Sequence, residues 1–124
     1  MSAGSLFEQV DVLLSELDKV EPVAFDLGTP QLPAVDAVYQ LAAIGPQIVP
    51  HLLERARDEA SKKRIAYIVM VLGLIRDDRA LEPLQTLRVR YQQQERKDEW
   101  DYAITGQCNL ALERLQGPQG PIAL

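Results

Sequence analysis

The chain has 124 residues, of which 47% are hydrophobic and 25% are charged, with a net charge of −5 and a single cysteine. This length suits one domain, residues 1–124, with a real hydrophobic core, and the apolar fraction is too high for a disordered chain. One cysteine excludes a disulfide framework and a multi-cysteine metal site. The acidic balance argues against nucleic-acid binding, which needs a basic face.

The first predicted helix covers residues 5–20 and is amphipathic. Its apolar positions recur every three or four residues, and Ser5 with Glu8 forms an S-x-x-E capping box at its start. Residues 21–33 hold three prolines and one glycine, which predicts a Pro-rich linker because neither a helix nor a central strand accommodates them. The start lacks a basic region and no apolar run reaches the ~20 residues of a membrane helix, so we expect no signal peptide, no membrane contact and a cytoplasmic location.

From residue 34 onward the pattern becomes a run of helices, with Pro33 suited to the first position of the first one. The segment 65–75 is apolar on every face, which predicts a helix covered on all sides at the centre of the fold. The helices are predicted between Pro33 and Ile44, from Pro46 to Glu59, from Lys62 to Ile75, from Ala80 to Tyr91 and from Trp100 to Leu115.

Two stretches of this helical region repeat each other. Residues 41–52 align with residues 72–84. Both segments have the pattern of a helix, a tight turn and a second helix, with a proline early in the second helix. Ile44 and Ile75 hold equivalent positions 31 residues apart, and residues 111–118 are a candidate third copy. Self-similarity at a fixed period is typical of a helical solenoid.

The segment 72–84, LGLIRDDRALEPL, resembles the L-G-x-I-G-D-x-R-A-V-x-P-L turn of HEAT repeats, and within them of the short bacterial repeats shared with phycobilin lyase subunits. The resemblance covers residues 34–117, with Arg76 where the family usually has glycine. It implies an all-α fold, a short right-handed α-solenoid of antiparallel helix pairs. In that family an Asp and a following Arg of the turn tie neighbouring repeats together, and Asp77 and Arg79 match these positions.

The ends of the predicted array differ. A solenoid needs about three units and capped ends, so we expect the helix over residues 5–20 to be an N-terminal cap on the first pair. Residues 118–124 form a tail that cannot make a regular capping helix. An uncapped end exposes apolar surface, which predicts either a homodimer through that end or docking against a partner.

No catalytic, cofactor or metal site is predicted. His51 is the only histidine and Cys108 the only thiol, and the central unit separates their helices. The apolar spacing around Cys108 makes it a core residue. No spacing offers the three or four converging ligands of a metal site, and Asp77 before a helix is interpreted as an N-cap. The chain is therefore predicted not to be an enzyme.

The charges are distributed unevenly along the chain. Residues 1–33 carry six acidic residues against one lysine, whereas residues 34–124 carry twelve of each sign. Within the second part, residues 60–90 hold seven basic against three acidic residues. This basic segment is interpreted as a solvated rim or as a contact for an acidic partner.

The predicted function is a non-catalytic scaffold or adaptor module that binds another protein. In HEAT-like arrays the second helix of each pair lines the concave face, where Tyr91 and Trp100 are either aromatic anchors or core residues. The alternatives are an immunity or inhibitor protein against a basic toxin and a phycobilin-lyase-like accessory factor. The partner-binding candidates are His51, Glu54, Arg55, Asp58, Gln85, Arg88 and Gln92.

Overall fold

A computed structural model of the protein describes residues 3–21, 23–24, 30–58, 61–95 and 98–116. Over these ranges the chain forms six α-helices, so the predicted all-α class is confirmed. None of the helices so described is long and apolar enough to span a membrane. Short 3₁₀ turns precede α3 and α5 directly. The helices are α1 Ala3–Asp18, α2 Asp36–Ile44, α3 Val49–Asp58, α4 Lys62–Ile75, α5 Leu81–Gln92 and α6 Glu99–Gln116.

Helix α4 lies at the centre of the fold, as its apolar sequence predicts. Every residue from Ile65 to Gly73 is buried, and the helix packs against α1, α2, α3 and α6. The Ser61 hydroxyl caps its start by accepting a hydrogen bond from the Arg64 N–H at 3.3 Å. Neighbours on several sides explain why residues 65–75 carry no charge.

Helices α4 and α6 cross closely at Gly73. A Cβ atom at this position would lie 2.9 Å from both Cα and Cβ of Ala111. Ordinary carbon contacts are about 3.5–4.0 Å, so only glycine permits this approach. The crossing joins α6 to the core, where Ile104 and Leu112 are also buried.

Two residues with positive φ shape the corners between consecutive helices. Gly45, after α2, has φ 99° and ψ −168°, a region that is essentially restricted to glycine. Arg76, after α4, adopts the left-handed conformation with φ 61° and ψ 44°. Its N–H donates to the Leu72 carbonyl at 3.1 Å. Arg76 thus makes the turn for which the HEAT-like pattern uses glycine, at a cost of about 1 kcal/mol.

Two predicted helix starts were wrong. Helix α1 begins at Ala3, so Ser5 lies inside the first turn and is not the N-cap of a capping box. The apolar spacing does not determine where the first turn begins, because the first four N–H groups of a helix have no intrahelical partner. Helix α2 begins at Asp36 and not at Pro33. The Tyr67 hydroxyl donates to the Pro33 carbonyl at 3.0 Å and Val35 is extended, which keeps this stretch outside the helix.

The predicted linker contains a small element that the sequence did not indicate. Strands β1 Val23–Ala24 and β2 Pro30–Gln31 pair antiparallel, with Val23 opposite Gln31. Strand β2 also lies against α6. The predicted tail, residues 118–124, falls outside the described residues.

Candidate functional site

Two of the predicted partner-binding residues contact the N-terminal helix. Arg55 Nη2 and Nε donate to Asp11 Oδ2 and Oδ1 at 2.7 and 3.1 Å, and His51 Nε2 lies 3.1 Å from Asp11 Oδ1. The His51 ring stacks on Phe7 with centroids 4.4 Å apart. Burial alone would raise the pKa of Asp11, but the hydrogen bonds from Arg55 and His51 hold it below its usual value. These contacts fasten α3 to α1.

The other predicted candidates are placed elsewhere. Arg88 Nη1 donates to Asn109 Oδ1 at 3.2 Å, so this side chain faces α6. The side chain of Asp58, the last residue of α3, is outside the described part of the structure. Arg88 thus does not share a surface with His51 and Arg55, which contact α1. The remaining candidates are exposed to solvent: Glu54, Gln85 and Gln92.

Asp77 and Arg79 join the two helix corners. Arg79 Nη2 and Nε donate to Asp77 Oδ2 at 2.8 and 3.2 Å, and Nη2 also donates to the Pro46 carbonyl at 2.8 Å. The Arg79 side-chain and backbone hydrogen bonds lower the pKa of Asp77. The Arg79 N–H donates to Asp77 Oδ1 at 2.8 Å, which confirms Asp77 as an N-cap. The start of α5 is therefore held beside the start of α3.

A cleft of about 660 Å³ lies between α3 and α5. Its charged lining residues fall into two groups, Asp78 and Glu82 around the start of α5, and Arg57 and Arg90 in the last turns of α3 and α5. Arg79 also lines the cleft, but its guanidinium is bound to Asp77. The apolar lining residues are Leu53, Ala56, Leu72, Pro83, Leu84 and Leu87.

Among the described residues, none of the partner-binding candidates predicted from the sequence lines this cleft. The candidate Arg55 and the lining residue Arg57 are two positions apart on α3, so their side chains point about 200° apart around the helix axis. The available signal was the spacing of Leu53, Ala56 and Arg57 on one helix and of Pro83, Leu87 and Arg90 on the next, which predicts one shared stripe on each.

The basic residues at the start of α4 have acidic or carbonyl partners. Lys63 Nζ donates to the Asp18 carbonyl at 2.8 Å, and Arg64 forms an ion pair with the Asp18 carboxylate. Lys62 Nζ lies 3.0 Å from Asp98 Oδ2 and 3.1 Å from Asp101 Oδ1. Part of the basic segment thus pairs with acidic groups of the chain itself.

Asp98 and Asp101 form a capping pair that the sequence analysis missed. Asp98 Oδ1 accepts the N–H groups of Trp100 and Asp101 at 2.9 and 3.0 Å, and Asp101 Oδ2 accepts the Asp98 N–H at 2.8 Å. Asp101 is buried, and Lys62 compensates its charge. The hydrogen bond from Lys62 lowers the pKa of Asp98. The D-x-x-D spacing before an apolar run was the signal for this cap.

The cysteine thiol and two of the aromatic side chains lie in or against the core. Cys108 is buried, which confirms its predicted core position, and burial raises the pKa of its thiol to about 12. Tyr91 is buried and Trp100 packs against the core. In the part of the chain that the structure describes, no three His, Cys, Asp or Glu side chains are placed to hold a metal ion.

What the geometry offers is therefore a cleft with apolar walls and separated charges, flanked by two helices whose starts are joined. Apolar walls with a charged rim are typical of surfaces that bind another molecule. In comparisons with known proteins, no family model, no curated protein and no solved structure matches the chain.

Proposed function

We propose that the chain is a short HEAT-like α-solenoid that works as a non-catalytic interaction module, and that its cleft between α3 and α5 binds a segment of another protein. The turn motif of residues 72–84 and its weaker copy at residues 41–52 support the solenoid interpretation. In this interpretation α2 with α3 and α4 with α5 are consecutive pairs, and α1 is the N-terminal cap.

Helix α5 packs against α6, and the contacts of α4 with the first pair support this order of layers. The first helix of the second pair, α4, packs against both helices of the first pair, and α1 packs against α2 and α4. Arg79 spans the two corners through its bonds to Asp77 and the Pro46 carbonyl. In an array of this kind the second helices, α3 and α5, stand side by side and line the concave face.

The observation that carries the proposal is the lining of the cleft. Leu53 and Leu87 are only half-buried, and they face a groove that other apolar residues continue. Arginines at the rim are common in protein interfaces, where apolar centres are surrounded by charged edges. Filling the groove with apolar side chains of a partner removes this surface from water.

The test is to fill the cleft without disturbing the core. Thr86 lines the cleft and is exposed, so Thr86→Trp puts an indole into the groove. Gln85→Trp is the matched control, because Gln85 is exposed on the same helix and does not line the cleft. We expect tagged wild-type protein and Gln85→Trp to capture a common partner from the native cell lysate, identified by mass spectrometry, and Thr86→Trp to lose it. Identical captured sets for all three proteins contradict the proposal.

A further inference from the structure

The cleft has a direction, because α3 and α5 begin at the same end. The Arg79 guanidinium at the start of α5 binds the Pro46 carbonyl just before α3. Since both helices also line one cleft, they run away from this point together. Glu82 thus lies near the joined starts and Arg90 lies eight residues, or about 12 Å, further along the groove. Arg57, in the last turn of α3, belongs to the same far end.

The two far-end arginines differ from Arg79, the third arginine that lines the cleft. Arg79 has a carboxylate partner within the chain, Asp77. Among the residues that the structure describes, Arg57 and Arg90 have no carboxylate partner, and Arg90 lies 5.7 Å from the centroid of the Tyr91 ring. Guanidinium groups bind carboxylates through paired hydrogen bonds, so this end of the cleft complements an acidic group.

The walls of the cleft determine the shape of the occupant. Both walls are helices, whose interior N–H and C=O groups are already hydrogen-bonded along their own axes. An extended peptide would find no backbone partners there, whereas an α-helix satisfies its own backbone groups. From Asp78 to Arg90 the lining spans about 18 Å, which accommodates about three turns of helix.

We propose that the occupant is an amphipathic α-helix of a partner protein, whose apolar face fills the cleft and whose carboxylates at one end bind Arg57 and Arg90. This proposal rests on the proposed function, because it specifies the chemistry of the same cleft. The end of the helix near Asp78 and Glu82 carries neutral or basic residues.

The experiment uses the full chain and three fluorescent peptides of 14 residues with one common leucine face. The peptides differ at two positions of the first turn, which hold Glu, Gln or Lys. By fluorescence anisotropy we expect the Glu peptide to bind about three- to tenfold more tightly than the Gln peptide, and the Lys peptide to bind more weakly than both. With Arg57→Gln/Arg90→Gln, the three affinities converge to within about twofold.

A matched variant separates local pairing from net charge and from helix propensity. Lys19→Gln/Arg76→Gln removes the same charge outside the cleft and should keep the preference for the Glu peptide. Since Glu in the first turn also favours a free helix, a preference that persists in Arg57→Gln/Arg90→Gln comes from the peptide and overturns the proposal. Equal binding of the three peptides to the wild type overturns it as well.

Two other occupants of the cleft, a small amphiphile and a second copy of the chain, would each give a different experimental result. Binding of decanoate with no binding of any peptide assigns the cleft to a small amphiphile, and self-association that Thr86→Trp abolishes in sedimentation assigns it to a second copy. Either result overturns the amphipathic-helix proposal. The capture experiment with Thr86→Trp and Gln85→Trp decides separately whether the cleft binds a protein at all, so a failure of the amphipathic-helix proposal can be told apart from a failure of the proposed function.

Discussion

Arg55 and Arg57 are two residues apart on α3, and their surroundings are opposite. Arg55 forms a two-point ion pair with Asp11 of α1, on the flank that the N-terminal helix covers. Arg57 lines the cleft on the other flank, beside Leu53 and Ala56. Two arginines of the same helix thus differ in their surroundings. Arg55 pairs with a carboxylate of its own chain, and Arg57 is exposed along a groove.

The difference between the two flanks separates stability from binding. On the covered flank, α1 buries Val10, Leu14 and Leu17 completely, and its carboxylates meet basic groups of α3 and α4. An acidic helix thus lies on a basic, apolar surface of its own chain. On the cleft flank apolar and basic groups are also present, and no helix of the described residues covers them. In our proposal a partner protein supplies that helix.

The largest expected difference between the two flanks is in the free energy of unfolding lost when a leucine is truncated to alanine. Leu14→Ala on the covered flank should lower the free energy of unfolding by about 2–5 kcal/mol, because Leu14 is fully buried and the mutation leaves a cavity. Leu53→Ala in the cleft should cost only about 1 kcal/mol, because that side chain is half-buried. Urea unfolding followed by circular dichroism measures both, and equal losses would mean that the cleft is part of the core.

Charge reversal on α3 should give a smaller difference in stability, and the covered flank should again lose more. Arg55→Glu removes the pair with Asp11 and places two carboxylates together, which should destabilise the protein by about 1 kcal/mol. Arg57→Glu should change stability by no more than about 0.5 kcal/mol, because Arg57 forms no ion pair within the described residues. Adding Asp11→Asn to Arg55→Glu should recover part of the loss. A larger cost for Arg57→Glu would reverse the assignment of the two flanks.

The sequence carried enough information to predict the central helix and the corner that follows it. Eleven uncharged residues at 65–75 fit only a helix that is covered on several sides, and Asp77 before a helix has few roles other than capping. Both features depend on neighbouring residues in the chain. Their agreement with the structure therefore follows from local physical rules.

The direction of the α3 side chains could not be read from local rules. Asp11 is 40 and 44 residues away from His51 and Arg55, and an exposed cation looks the same in a sequence whether its partner is internal or external. The acidic excess of residues 1–33 beside the basic segment 60–90 was the one signal of internal pairing. The separation of Arg55 from Arg57 follows only when α1 is placed on one flank of α3.

The smallest expected difference between the flanks is in how the stability of the protein depends on pH. The pKa of Asp11 is lower in the folded protein than in the unfolded chain, so its pair adds stability above the unfolded pKa and loses it as the pH falls through the folded pKa. Asp11→Asn should therefore be less stable than the wild type by about 0.5 kcal/mol at neutral pH, and the gap should close towards pH ~3. The matched control is Glu82→Gln at the cleft, which removes a carboxylate that has no ion-pair partner within the described ranges. Thermal unfolding over this pH range measures both variants, and a gap for Asp11→Asn that does not change with pH would show that the carboxylate charge does not hold α1 on α3.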